Sequence, residues 1–148
     1  MKTILIFLLL ELSFSYNGAG AAEYAKKWCN KYNPNYNNYK YKDAFAESVN
    51  FISQCISVGG GQDLTGCEGL DDKGMLKNAS DLKQCLISKG WKISDKISPG
   101  FPIFYKRSSI GMVATQVDAK VVIFCSHAPD RCNSRNFINN MDAYSPPS

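Results

Sequence analysis

Residues 43–61, DAFAESVNFISQCISVGGG, form the most regularly patterned stretch of the chain. Apolar side chains recur there at helical spacing, at Phe45, Val49, Ile52 and Ile56. The three glycines at 59–61 interrupt the pattern, as glycine commonly does where a helix ends. The sequence therefore predicts a helix over residues 43–58, with one apolar face available for packing.

The segments around this helix predict an α+β protein. Further helices are expected over residues 23–31 and from Asn78 or Ser80 to residue 89, separated from the central helix by Asn- and Gly-rich loops. After Trp91 the pattern changes to short β-rich runs, at residues 103–105, 110–117 and 121–125, with a hairpin turn at 118–120. Helices followed by antiparallel strands indicate the α+β class.

The N-terminus has the form of a secretory signal peptide. Lys2 precedes an apolar run over residues 4–12, and small residues follow it. Cleavage after Ser15 or after Ala21 would leave a single domain, which we place at residues 22–148. The apolar run is too short to span a bilayer, so we expect no membrane association after cleavage. A buried N-terminal helix is the alternative interpretation.

Composition and charge exclude several classes of protein. The chain has 148 residues, 45% hydrophobic and 20% charged, which fits one globular domain. Its 11 glycines and 6 prolines follow no period, which excludes collagen-like and low-complexity chains. The net charge is +4, and the basic residues are spread along the sequence. We therefore expect no nucleic-acid partner.

Six cysteines agree with export to an oxidising compartment. An even number in a small exported chain predicts three disulfides, without fixing which cysteine pairs with which. The local pair Cys125–Cys132, on either side of a turn-like Ala-Pro-Asp sequence, is one option. No C-x-x-C spacing is present, so no metal site is expected. The cysteines are Cys29, Cys55, Cys67, Cys85, Cys125 and Cys132.

Few residues suggest catalysis when each is taken alone. The chain has one histidine, His127, and it has no phosphate-binding loop or nucleophile-elbow motif. No cofactor is therefore implied. Asn78-Ala79-Ser80 matches the acceptor pattern for N-glycosylation. The tyrosines and lysines that alternate with asparagine over residues 30–41 could stack on a glycan or a nucleic acid strand. We expect instead that these tyrosines pack the loop onto the domain.

Several short motifs, taken together and in order, resemble a known family. Residues 32–36 (YNPNY), 50–55 (NFISQC) and the glycine pair at 59–60 are followed by 103–105 (IFY), 108–113 (SSIGMV) and 126–131 (SHAPDR) with Asn133. This series is similar to the bacterial putative amidase domain family of papain-like amidases and peptidases, which include CHAP-type and NlpC-type cell-wall hydrolases. The resemblance implies a papain-like fold, in which N-terminal helices pack on a small antiparallel sheet.

The resemblance also implies where an active site would lie. In the family a cysteine at a helix start is the nucleophile, a histidine on the sheet is the base, and a third polar residue orients the histidine. The cysteine position corresponds to Ser48, the histidine position to Ser109 and the third position to His127. Around this site Trp28, Asn50 and Gln54 are expected to line a cleft.

Replacement of both the nucleophile and the base predicts loss of catalysis. A serine hydroxyl without a base is a poor nucleophile, and Ser109 cannot accept a proton near neutral pH. We therefore expect a secreted, catalytically inactive homologue that binds a cell-wall peptide, a glycan or a protein ligand. Its location would be the medium, a granule or the cell surface.

Two alternatives stay open at this point. A weak serine-type amidase or peptidase would use Ser48 activated directly by His127. A self-assembling structural or storage protein would instead use the Tyr/Asn-rich segment, Trp28 and the tail at residues 144–148 as assembly surfaces.

Overall fold

A computed structural model describes residues 15–105 and 109–148 of the chain. Residues 1–14, which contain most of the predicted signal peptide, lie outside the described residues. Within the described ranges, no helix is both long enough and apolar enough to cross a membrane.

Three helices lie between residues 15 and 90 of the described chain, and a side chain caps the start of each. The caps are Asn17, Asp43 and Asn78, whose side-chain oxygens accept hydrogen bonds from backbone N–H groups of the first turn. The helix predicted over residues 43–58 is confirmed, although its last turn widens into a π-helix before the glycines. The helix predicted over 23–31 begins earlier, because Asn17 caps it. The helices are α1 (Gly18–Trp28), α2 (Ala44–Gln54) with the π-helical turn Cys55–Gly59, and α3 (Ala79–Ser88).

Six strands form one antiparallel sheet in the order β1-β6-β2-β3-β4-β5. The three β-rich runs are confirmed as β2, β3 and β4. Asp118 Oδ1 accepts hydrogen bonds from the N–H groups of Lys120 and Val121, which closes the predicted hairpin turn. The strands are β1 (Lys92–Ser94), β2 (Pro102–Tyr105), β3 (Ile110–Gln116), β4 (Val121–Ser126), β5 (Arg131–Phe137) and β6 (Met141–Ser145).

Both faces of the sheet bury apolar side chains. On β3, Met112 and Ala114 belong to the main core beneath the helices, whereas Val113 joins a smaller cluster on the opposite face. This alternation is the two-residue period of a strand. The helices followed by an antiparallel sheet confirm the predicted α+β class.

Two disulfides connect distant segments, where three were expected. Cys29 pairs with Cys132, and Cys67 pairs with Cys85. Cys55 and Cys125 are free and buried. The option of a local disulfide between Cys125 and Cys132 is therefore wrong. The Cys125 thiol instead donates a hydrogen bond to the backbone carbonyl of Cys132, at 3.1 Å. The sulfur of Cys132 forms its disulfide with Cys29, the residue directly after α1.

The C-terminal residues do not form a free tail from residue 144 onward. Tyr144 is buried and lies in β6, which pairs with both β1 and β2. Its ring packs edge-on against Phe104, with 5.1 Å between the ring centroids. Tyr144 is therefore part of the core and is not available as an assembly surface.

Candidate functional site

A cavity of about 240 Å³ lies where the start of α2 meets the adjoining ends of β3 and β4. Ser48 reaches it from α2, Ser109 from the residue before β3, and His127 from the residue after β4. The structure thus brings together the three positions that the resemblance assigned to an active site. Its other lining residues are Ala44, Phe45, Ile110, Phe124, Ser126, Ala128, Pro129 and Arg131.

The Ser48 hydroxyl is surrounded by backbone carbonyls. Its Oγ lies 2.8 Å from the carbonyl oxygen of His127 and 3.1 Å from that of Ala44, and it donates its proton to these acceptors. A carbonyl oxygen is too weak a base to remove that proton near neutral pH. Ser48 therefore lacks the activation that a nucleophilic serine requires.

The imidazole of His127 turns away from Ser48 into the core. Nδ1 lies 3.1 Å from Glu47 Oε1, and Nε2 lies 2.6 Å from the carbonyl oxygen of Trp28. The ring stacks on Phe51, with 3.8 Å between the centroids, and the side chain is only 2% exposed. Both ring nitrogens are occupied, so the geometry does not provide the Ser48–His127 pair that a serine hydrolase would need.

The contact between Glu47 and His127 is a buried, fully hydrogen-bonded pair. One ring nitrogen faces the Glu47 carboxylate and the other faces the Trp28 carbonyl oxygen. The second carboxylate oxygen of Glu47 accepts a hydrogen bond from the backbone N–H of Tyr39, at 2.7 Å. Each polar atom of the pair thus has a partner, which a buried charge requires in order to be tolerated.

Ser109 supplies no base either. It is exposed, and its carbonyl oxygen accepts a hydrogen bond from the N–H of Tyr105. The resemblance assigns Ser109 to the family's histidine, but a hydroxyl can only donate or accept a hydrogen bond and cannot take up a proton near neutral pH. Among residues 15–105 and 109–148, no cluster of three His, Cys, Asp or Glu side chains could hold a metal ion.

The residues expected to line the cleft have other roles. Asn50 and Gln54 are buried, and Gln54 Nε2 donates to Asn50 Oδ1 at 2.8 Å. Asn50 also donates to the carbonyl of Leu76, and Gln54 Oε1 accepts a hydrogen bond from the Tyr24 hydroxyl. Trp28 is half-buried and contacts the site only through its carbonyl oxygen. None of the three lines the cavity beside Ser48, and the polar groups of Asn50 and Gln54 bind the protein's own backbone and side chains.

The Tyr/Asn-rich segment also packs onto the domain, as predicted. Asn33 Nδ2 donates to the Tyr24 hydroxyl, and the Tyr39 hydroxyl donates to Asp71 at 3.0 Å. Burial alone would raise the pKa of Asp71, but hydrogen bonds from neighbouring N–H groups and side chains outweigh it and lower this pKa. The segment is therefore joined to α1 and to the loop before α3.

The rim of the cavity is held by Asp130. Its carboxylate accepts a hydrogen bond from the Tyr32 hydroxyl at 2.7 Å and pairs with Lys40 at 3.4 Å. Burial alone would raise the pKa of Asp130, but the hydrogen bonds from Tyr32 and from the Ala128 N–H hold it below its ordinary value. These contacts fix the turn that places Arg131 beside the cavity.

Some residues of the site were not predicted from the sequence. Glu47 is 1% exposed and is the partner of the only histidine. Its place directly before Ser48, on the predicted helix, was the signal that could have found it. Phe45 belongs to the apolar pattern of the predicted helix and Arg131 ends the SHAPDR motif, but neither was expected to line the cavity.

Comparisons with known proteins support the family assignment. A family model described as "Putative amidase domain" matches residues 15–90, just over half of the chain. The chain is also 29% identical over 105 residues to the uncharacterized protein YhbB of Bacillus subtilis (strain 168). That match covers 71% of this chain and 29% of the bacterial protein. No solved structure matches.

The matched segment contains all three helices, the YNPNY and NFISQC motifs and Ser48. Ser109 and His127 lie beyond residue 90, so their assignment depends on the shared cavity. On the strength of the family match, this chain belongs to the putative amidase domain family.

Proposed function

We propose that this protein is a catalytically inactive amidase homologue that binds a ligand in the cavity beside Ser48. One observation carries the proposal. Ser48 and Ser109, which the resemblance assigns to the family's nucleophile and base, line one cavity, yet the Ser48 hydroxyl faces carbonyls and the His127 imidazole bonds to Glu47 and Trp28. Losing the nucleophile and base of a triad typically lowers the rate by several orders of magnitude.

The cavity retains features suited to binding. A second cavity of about 210 Å³ shares Phe45, Ser109 and Ile110 with the first, so the two cavities adjoin, and together we call them the groove. Arg131 lines the first cavity and Lys83 lines the second. Such a groove combines apolar walls with a few polar groups, as ligand sites usually do. It would suit an amide-containing segment of a cell-wall peptide, with a glycan or a protein segment as other candidates.

Activity is tested with purified peptidoglycan and its soluble muropeptides, followed by mass spectrometry of the products. We expect the wild-type protein and Ser48→Ala to release the same background amount of cleaved amide. Hydrolysis by the wild type that Ser48→Ala abolishes would contradict the proposal.

A separate experiment tests whether positions 48 and 109 correspond to the family's nucleophile and base. We compare the alkylation rate at neutral pH of Ser48→Cys with that of Ser48→Cys/Ser109→His. A nearby imidazole lowers a thiol's pKa, so we expect alkylation about tenfold faster in the double variant. Equal rates would mean that positions 48 and 109 do not form a nucleophile–base pair.

Binding is tested by titrating a labelled protein with the same muropeptide mixture and following chemical shifts. Ser109→Trp would fill the junction of the two cavities, and we expect it to weaken binding about tenfold or more. Ser98→Trp introduces the same ring at an exposed serine outside the groove and serves as the control. Equal binding by both variants would locate the ligand elsewhere.

The proposed function includes secretion with cleavage after Ser15. Two disulfides are typical of proteins in oxidising compartments. The Tyr16 hydroxyl donates to the Gly100 carbonyl at 2.6 Å, Asn17 caps α1, and Ala21 is buried. Cleavage after Ala21 would remove all three contributions. N-terminal sequencing of the secreted protein should therefore begin at Tyr16, and a start at Ala22 would contradict this site.

N-glycosylation and self-association stay predictions. Asn78 is exposed, and its helix cap uses Oδ1, which leaves the amide nitrogen available to carry a glycan. Treatment of the secreted protein with a glycosidase should lower its mass if Asn78 is modified. Light scattering over a concentration series tests assembly, and a constant monomer mass would exclude it.

A further inference from the structure

Residues 26–42 concentrate the positive charge of the chain. This segment contains five lysines and no acidic residue, whereas the whole chain has a net charge of only +4. The rest of the chain is therefore close to neutral. One tryptophan and four tyrosines lie between these lysines.

Two of the lysines converge on the ring of Trp28. Lys27 Nζ lies 5.3 Å and Lys31 Nζ 5.2 Å from the centre of the indole, distances typical of cation–π contacts. Within the described part of the chain neither ammonium has a carboxylate within 4.0 Å, whereas neighbouring Lys26 pairs with Glu23. Two like charges held near one ring favour the approach of an anion.

The same surface continues to Tyr41 through a chain of contacts. The imidazole that bonds to the Trp28 carbonyl lies 4.4 Å from the ring of Tyr32. Lys40 Nζ lies 5.3 Å from the Tyr32 ring and 5.8 Å from the Tyr41 ring. Tyr41 is 91% exposed, the most exposed large apolar side chain described. At this exposure most of the Tyr41 ring is accessible to a ligand.

We propose that this lysine–aromatic surface, formed by Lys27, Trp28, Lys31, Lys40 and Tyr41, binds an acidic polysaccharide. Lys27 and Lys31 would contact carboxylate or phosphate groups along the polymer, and the exposed Tyr41 ring would stack on the apolar face of a sugar, whereas Lys40 already pairs with Asp130. Secretion, which the disulfides favour, would bring the surface into contact with such polymers.

A nucleic acid strand fits the surface less well. Strand-binding proteins stack successive bases on several open rings. Here only Tyr41 is fully open, because Tyr32 and Tyr39 are half-buried and bind Asp130 and Asp71 through their hydroxyls. The exposed lysines are thus better suited to anionic groups recognised by charge alone.

The surface is separate from the cavity beside Ser48, because none of its five residues lines that cavity. Substitutions at Lys27, Lys31 and Tyr41, whose side chains make no hydrogen bond or ion pair with the described residues of the cavity rim, therefore leave the groove intact, and the two proposals can fail independently.

The test measures binding of the full mature chain to polygalacturonate, which carries carboxylates, and to phosphomannan, which carries phosphates. We expect binding to at least one polymer at low salt, with affinity falling as salt rises. Neutral dextran should not bind. Lys27→Gln/Lys31→Gln should weaken binding about tenfold and reduce the slope of log affinity against log salt by roughly one to two units. Tyr41→Ala should weaken binding with the slope unchanged.

The control variant is Lys96→Gln/Lys120→Gln, which removes the same charge at exposed lysines outside the surface. It should bind nearly as well as the wild type, and both double variants should keep the wild-type circular dichroism spectrum. If the two double variants weaken binding equally, the net charge of the protein alone explains the binding, and the proposal is overturned. Absence of binding to both acidic polymers, or tighter binding to single-stranded oligothymidylate, would overturn it as well.

Discussion

Glu47 and His127 join three segments that are far apart in the sequence. Through them the end of α1, the first turns of α2 and the turn after β4 share one hydrogen-bonded contact. The pair is buried on all sides, with Phe51 and Tyr32 against the imidazole. A buried pair of this kind orients the segments more than it adds net stability, and removing one partner leaves the other charge uncompensated.

His127→Ala should therefore act on stability. We expect a loss of about 3–5 kcal/mol in the free energy of unfolding, measured by urea denaturation, because Glu47 would stay buried without its partner. Glu47→Gln/His127→Gln should lose less than the sum of the two single variants, because it leaves no buried charge. A loss below about 1 kcal/mol for His127→Ala would contradict the structural role.

The two free cysteines give a second prediction for single residues. Burial raises the pKa of the Cys125 thiol to about 11 and that of Cys55 well above its ordinary value, so both are protonated at neutral pH. Only the thiolate reacts, so Ellman's reagent should detect no thiol in the folded protein. In denaturant it should detect both free thiols of Cys55 and Cys125. None in denaturant would indicate the third disulfide that the cysteine count predicts.

How far single residues were predictable depends on what each one contacts. The resemblance led to Ser48, Ser109 and His127, and the structure brings all three to one cavity. The side-chain directions of Asn50 and Gln54 were not predictable. Both depend on carbonyl and hydroxyl partners from the loop before α3 and from α1, which a motif on α2 does not reveal.

Among the elements, α1 and the π-helical turn approach each other unusually closely. A Cβ at Gly59 would lie 2.7 Å from the carbonyl oxygen of Gly20, and a Cβ at Gly20 would clash with the carbonyl of Gly59. Neither glycine has a positive φ, so the backbone conformation does not call for glycine at these positions. The close backbone contact does, because it leaves no room for a Cβ atom. The contact places α1 so that its last residue reaches His127.

Gly20→Ala tests this packing. In an open helix the change from glycine to alanine stabilises by roughly 1 kcal/mol. Here we expect destabilisation by about 1–3 kcal/mol, measured by urea denaturation, because the added methyl group meets a backbone carbonyl. Ala19→Gly, at the neighbouring exposed position, should cost only about 1 kcal/mol. A more stable Gly20→Ala would show that the two segments can separate without cost.

The strands were predictable only where their side chains are apolar. β2, β3 and β4 carry most of the buried residues of the sheet, and their hydrophobic pattern identified them. β5 is an edge strand with the sequence RCNSRNF, and most of its side chains are exposed. It is held by pairing with β4 and by the disulfide at Cys132. These are long-range contacts that local composition does not encode.

At the scale of the whole molecule, the two disulfides close loops of very different length. Cys29–Cys132 joins the end of α1 to the edge strand β5 across 103 residues, whereas Cys67–Cys85 spans 18 residues. Chain entropy predicts that the longer loop restricts the unfolded state more. The first disulfide also adjoins Trp28, whose carbonyl binds His127, so it holds the helical half against the sheet.

Removing each disulfide separately tests this difference. Cys29→Ala/Cys132→Ala should lower the free energy of unfolding by about 5 kcal/mol, and Cys67→Ala/Cys85→Ala by about 3 kcal/mol, in denaturation under non-reducing conditions. Because one cross-link joins the two halves and the other lies within the first half, only the first variant should also broaden the signals of β5 in a heteronuclear NMR spectrum. Equal losses in the two variants, with β5 unchanged, would mean that the hydrophobic core alone holds the halves together and that the long disulfide contributes no more than the short one.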